Sequence, residues 1–335
     1  MTDPAKRLGL GQALTYCSLV LLLLAFLSLL FGAGEVSPAS SFAALTGTPQ
    51  GDAAFVVWEL RLPRTFLAVV VGVALGAAGT SLQAVTRNPL AEPGLLGVSA
   101  GASFLVVLSI FLGATAATLH LGVAITGAII GCLLVLSITQ LRGPGSDPVR
   151  LVLAGAAFSS ILSAGSTLLL LYDKRSADEI RFWIIGALGG RPASTLDWAI
   201  PGVLVGLIVL LLLLRPLAAM ALGEKVATGL GHRPGLTRVL VLIGVAVLVG
   251  TATAAAGPIG FVGLIVPFIA RRLVGPDIRR TLSVSVLVGP CIVLFADIVS
   301  RLAVRPYELP IGVVTAFVGA PALIAVVRSH RLPRL

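Results

Sequence analysis

From Thr65 to Thr86 the chain carries no charge, and it sets Gly72, Gly76 and Gly79 with Ala68 and Ala77 into that run. Arg61 and Arg64 precede it and Arg87 follows it. An apolar stretch of about twenty residues matches the hydrocarbon thickness of a bilayer. Faces of small residues let helices approach closely where no hydrophobic force drives them together. Arg87-Asn88-Pro89-Leu90 breaks the run, and a second small-residue segment follows to Phe104. The stretch reads as an inner helix of a polytopic membrane protein, followed by a tight loop at a membrane face.

The rest of the chain repeats this pattern. Hydrophobic residues make up 57% of it and charged residues 11%, against about 25% charged in a soluble domain. Such a chain cannot cover its surface with polar groups. Backbone groups in lipid must be satisfied internally, and the long unalternated Leu/Val/Ala runs exclude a barrel, so the spans are helices. The fold class predicted is an all-α polytopic membrane protein, one transmembrane domain over residues 1–335. Apolar runs bounded by charge, Pro or Gly place ten spans at 13–32, 63–84, 94–113, 119–141, 149–172, 197–214, 239–256, 259–274, 282–300 and 309–328. The first run is longer than the apolar region of a cleaved signal and is read as an uncleaved span. Residues 33–58 form a polar loop, Phe182–Gly190 is apolar but too short to cross, and Arg215–Arg238 is a long hydrophilic stretch.

The net charge of +10 would point a soluble protein toward nucleic acid. Here it reads as loop charge that sets orientation. With ten spans and both termini cytoplasmic, sixteen of the 24 Lys/Arg residues fall inside and eight outside. Arg61, Arg64 and Arg301 then stand on the outer side, against the rule. They read either as side chains snorkelling to headgroups or, since Arg61 and Arg64 are one helical turn apart, as a fork for an acidic partner.

Several kinds of chemistry are missing from the pattern. Lys6, Lys174 and Lys225 belong to no glycine-rich nucleotide loop, His120, His232 and His330 are isolated, and there is no HExxH pair. Cys17, Cys132 and Cys291 lie in apolar runs without metal-ligand spacing and read as buried thiols. Asp297 stands four residues before Arg301 on one helix face, so a helix-end ion pair is favoured over a proton site. The chain is not an enzyme and needs no cofactor of its own. The Arg215–Arg238 stretch, with GEKVATGLG at 223–231, reads either as a solvated loop or as a surface helix for a groove on a cytoplasmic partner.

Four segments carry a resemblance: RLPR at 61–64, NPLAEPGLLGVSAGA at 88–102, GPIGFVGLIVPFIAR at 257–271 and ELPIGVVTAFVGAP at 308–321. In order and over nearly the whole chain, they resemble the FecCD-type permeases, membrane subunits of ABC importers for ferric siderophores, haem and cobalamin. The resemblance implies a multi-pass subunit of the bacterial inner membrane, paired with a second permease subunit as a homodimer or with a paralogue. It implies two cytoplasmic ATP-binding subunits, which carry ATP and Mg, and an extracytoplasmic substrate-binding protein.

The resemblance also assigns roles. Arg61, Arg64 and Arg301 would present to acidic residues of the binding protein. Gly223, Glu224, Ala227, Leu230 and Gly231 would couple to the ATPase. Asn88 and Leu90 match the first part of the cytoplasmic gate; the second part falls at Pro148 and Val149, near Ser146, where the family usually offers small hydroxyl residues. Transport of a ferric-siderophore-type chelate by alternating access is the expected function. The same machine carrying haem or cobalamin is the alternative, and a stand-alone secondary transporter is a third reading.

Overall fold

The computed structural model describes residues 8–47, 51–114, 120–140, 148–172 and 185–328, and the regular structure among them is entirely helical. In chain order the helices are α1 (Leu10–Leu30), α2 (Pro38–Leu45), α3 (Ala53–Thr86), α4 (Val98–Phe111), α5 (His120–Gln140), α6 (Pro148–Tyr172), α7 (Thr195–Leu212), α8 (Leu214–Ala221), α9 (Glu224–Gly229), α10 (Pro234–Ala256), α11 (Val262–Val274), α12 (Ile278–Leu302) and α13 (Ile311–Arg328). Each expected span overlies one of these helices. Among the described residues six are long and apolar enough to cross a membrane. Residues 182–184 of the short apolar segment and Ser146 lie outside the described residues.

The boundaries moved where local chemistry overrode hydropathy. The loop expected over 33–58 contains α2, because Ser37 caps it by accepting from the Ser40 amide at 3.1 Å and Pro38 fits the first turn. α3 begins at Ala53, with a wider π turn over Val56–Arg61 before regular α geometry from Leu62. α4 begins at Val98 after a 3-10 turn over Pro93–Leu96.

α3 and α10 form the centre, with 78% of the apolar window of each buried, against 6% for α6, whose apolar face points outward. The glycines of α3 explain its position. A Cβ at Gly72 would strike the backbone of Gly289 and Pro290 on α12, and one at Gly79 would overlap Gly263 on α11. Gly76 faces the Ser285 carbonyl of α12, and there Thr80 donates to the Ser285 hydroxyl at 2.7 Å. Where backbone meets backbone, dispersion and hydrogen bonds replace the hydrophobic force that lipid removes. α4 and α5 cross in the same way, through Gly97, Gly101, Gly127 and Gly131.

The chain after α3 does not stay at the helix end. Pro93 lies against Gly263, which itself rests on Gly79. Gly79 is seven residues before Thr86, so the loop folds back by about 10 Å along α3.

Candidate functional site

At one end of the bundle, α1 runs out in Leu29-Leu30-Phe31-Gly32, where the Phe31 amide meets the Leu27 carbonyl and the carbonyls beyond it need other donors. Arginines from two other helices supply them. Arg61 Nη1 donates to the carbonyls of Leu29 (3.0 Å) and Leu30 (2.9 Å) and to Ser41 Oγ at 2.8 Å. Arg301 Nη1 donates to the carbonyls of Ser28 (3.0 Å) and Phe31 (3.1 Å), and its Nη2 to Ser28 Oγ at 2.6 Å. A cation at a helix C-terminus is also favoured by the helix dipole.

Asp297 holds the cluster together. Its Oδ1 accepts from Arg64 Nη2 at 2.8 Å and Nε at 3.0 Å. Its Oδ2 pairs with Arg301 Nη2 at 2.7 Å, the ion pair expected from the four-residue spacing. Arg64 Nη1 meets both oxygens of Glu308, at 3.0 and 2.8 Å. Ser28 and Thr65 close the base through a hydroxyl contact of 2.8 Å. One carboxylate between two arginines, with Asp297 1% and Arg301 2% exposed, is a buried charge network in which each member depends on the others.

This geometry changes what two of the expected docking residues do in the chain by itself. Arg61 is 4% exposed and Arg301 2%; their guanidinium groups point inward to α1 and do not share an outward face with Arg64. Arg64 keeps an edge on a cavity of about 920 Å³ lined by Arg61, Arg64, Arg191, Arg301, Glu59 and Glu308, among others. Among the described residues no carboxylate lies within ion-pair distance of Arg191, and burial pushes its guanidinium below the usual range.

α7 starts beside this cavity and runs about 27 Å away from it, so α8 and α9 sit at the other end. Gly223 (φ 115°) and Gly231 (φ 82°) occupy backbone regions that favour glycine and bracket α9. Glu224 Oε1 is held by Arg238 Nη2 at 2.5 Å, tying α9 to the start of α10. Ala227 is fully buried, so it anchors α9 and does not face outward as a coupling residue would. Leu230 is exposed, and with Val226 four residues before it makes an outward apolar pair, with Leu222 exposed beyond the break at Gly223. Leu222, Val226 and Arg238 carried no earlier assignment. Their signal was present in the spacing, but only Ala227 turning inward shows which face is free.

The loop after α3 is tightly built. Arg87 takes a left-handed conformation (φ 50°), Asn88 N donates to the Gln83 carbonyl at 3.2 Å, and Asn88 Oδ1 accepts from Leu90 N at 2.9 Å. Asn88 and Leu90 are therefore held in a rigid Asx turn. Pro148 and Val149 open α6, and their side chains lie outside the described residues. Cys17, Cys132 and Cys291 are free thiols; the first two are buried and Cys291 is partly exposed.

A bundle of apolar helices with glycine crossings, a charged mouth at one end and a polar segment with exposed apolar residues at the other is the build of a multi-pass membrane protein. The chain belongs to the FecCD transport family, whose model matches residues 20–329. It is 44% identical over 312 residues to the ferric enterobactin transport system permease protein FepD of Escherichia coli (strain K12), covering 92% of this chain and 93% of FepD. It is 41% identical over 317 residues to the vitamin B12 import system permease protein BtuC of Shigella sonnei (strain Ss046), covering 92% of each. The fold matches an inward-facing conformation of a metal-chelate type ABC transporter with TM-score 0.73 and 29% identity, over 96% of this chain and 99% of that one. The protein is a transport permease of the inner membrane.

Proposed function

We propose that this chain is the permease subunit of a binding-protein-dependent ABC importer that carries a ferric-siderophore-type chelate into the cytoplasm by alternating access. The observation that carries the reading is the 44% identity to a ferric enterobactin permease along nearly the whole of both chains. The two ends of the bundle support it. The charged mouth suits an acidic face of an extracytoplasmic binding protein, with Arg64 at its edge and Arg61 and Arg301 holding the α1 and α12 ends beneath. The exposed Val226 and Leu230, bracketed by Gly223 and Gly231 with Leu222 exposed just before them, suit a groove on each of two cytoplasmic ATP-binding subunits, which hold ATP and Mg. Asn88, Leu90, Pro148 and Val149 form the inner gate. A second permease subunit, identical or paralogous, covers the outward apolar face of α6.

Force enters at α9, passes to α10 through Glu224 and Arg238, and reaches the loops that close the inner end. Haem and cobalamin are the alternative cargoes, the second favoured by the 41% identity to a vitamin B12 permease. The test is reconstitution in vesicles with the ATPase and the binding protein. Ferric enterobactin should stimulate ATP hydrolysis and enter, while hemin and cobalamin should not. Entry of hemin or cobalamin alone would move the assignment to that cargo, and uptake without an ATPase would remove the ABC reading.

A further inference from the structure

Glu92 is a carboxylate in the loop that folds back along α3, and among the described residues no cation pairs with it. Its Oε1 accepts from the backbone amide of Phe261. Phe261 is the residue before α11, and it sits at φ 67°, a left-handed conformation that a side chain as large as phenylalanine rarely adopts. Its ring lies directly on the backbone of α13, since a Cβ at Gly319 would strike Phe261 Cβ, with Cγ 2.5 Å and Cδ1 2.8 Å away.

The remainder of α11 is already fastened to α3. Gln83 Nε2 donates to the Leu264 carbonyl at 3.4 Å, Arg271 Nη2 donates to Gln83 Oε1 at 2.6 Å, and Gly263 lies on Gly79. The residue before α11 meets the loop through the Glu92 carboxylate, and the first turn meets it through Pro93 against Gly263. A strained backbone persists where its surroundings over-determine it, and such positions collect at moving parts.

We propose that Glu92 is a positioning residue of the transport cycle: its carboxylate fixes the left-handed turn at Phe261, and the Phe261 ring on Gly319 carries that position to α13. The loop holding Asn88 and Leu90, the turn between α10 and α11, and α13 then change position together. The inference rests on the permease reading above and concerns its gate. Glu92 acts as a hydrogen-bond acceptor, not as a charge.

The test uses the assembled transporter in vesicles, with ferric enterobactin as the transport probe. Two quantities are read: amide hydrogen exchange over 257–263, and chelate moved per ATP hydrolysed. Glu92→Ala should speed exchange of the Phe261 amide about tenfold and lower the transport ratio about fivefold or more. Glu92→Gln retains an oxygen acceptor and should restore both. Unchanged exchange in Glu92→Ala, or a Glu92→Gln that behaves like the alanine variant, would overturn the proposal, the second by showing that charge is what matters.

If Glu92→Ala does not assemble, Phe261→Gly serves in its place, because glycine suits the turn and removes the ring. It should lower the transport ratio to a similar degree, and a wild-type ratio would overturn the link to α13. A wild-type transporter that ignores ferric enterobactin would defeat the cargo reading and leave the exchange result to decide the latch.

Discussion

Arg64 donates to Asp297 at 2.8 Å and thereby joins the first regular turn of α3 to the last turns of α12, across 233 residues of chain. Asp297 pairs with Arg301 on its other side. Removing the shared carboxylate leaves two guanidinium groups largely out of water. Asp297→Ala should destabilise the protein by about 3–5 kcal/mol, seen as a lower thermal midpoint in detergent or a poor yield of folded protein. Asp297→Asn keeps the shape and loses the charge, and should also be unstable. A wild-type midpoint for both would show that Glu308 alone can hold Arg64.

Arg61 supplies donors to the end of α1, so its loss should be felt there first. Arg61→Ala should cost about 1–3 kcal/mol through the unsatisfied Leu29 and Leu30 carbonyls. Hydrogen exchange should rise at the C-terminal turn of α1 and over 31–34. Stability equal to wild type with weaker binding-protein docking would return Arg61 to the docking surface.

Gly72 meets backbone on α12, which cannot rotate away as a side chain can. Gly72→Val should force α3 and α12 apart and cost about 1–3 kcal/mol or more. Gly11→Ala on α1 meets no atom within 4 Å and should lie within about 0.5 kcal/mol of wild type. Equal effects of the two substitutions in a thermal-shift comparison would contradict the close crossing.

Val226 and Ala227 are adjacent on α9, the first exposed and the second buried. Val226→Asp should abolish association with the ATP-binding subunit in a pull-down and leave the membrane bundle intact. Ala227→Asp should destabilise the protein itself, because a carboxylate would enter the core. Glu224→Ala removes an ion pair at the surface and should change stability by only about 0–1 kcal/mol. Any larger effect of that variant should appear as fewer chelates moved per ATP.

Much of the molecule was legible without coordinates. Each apolar run overlies a helix among the described residues, six of them long and apolar enough to cross a membrane, because lipid leaves a backbone few ways to satisfy its polar groups. The glycines at 72, 76 and 79 read as packing residues, and the structure gives each a backbone neighbour. The Asp297 and Arg301 pair followed from spacing on one helix face. Less legible were features that depend on distant partners. Glu308 stood inside a recognised segment without a role until Arg64 reached it. Glu92 looked like one polar residue in a loop until the loop folded back onto α11.

The sequence by itself determined that this chain lives in a membrane, as helices, in the FecCD family, because hydropathy and local spacing act along the chain and need no partner. The tertiary structure decided what the charged residues are for. Arg61 and Arg64 are one turn apart in sequence, yet one ends α1 and the other ties α3 to α12. A buried charge is placed by whatever group can pair with it, and those groups arrive from other helices, 32 residues away at Leu29 for Arg61 and 233 residues away at Asp297 for Arg64.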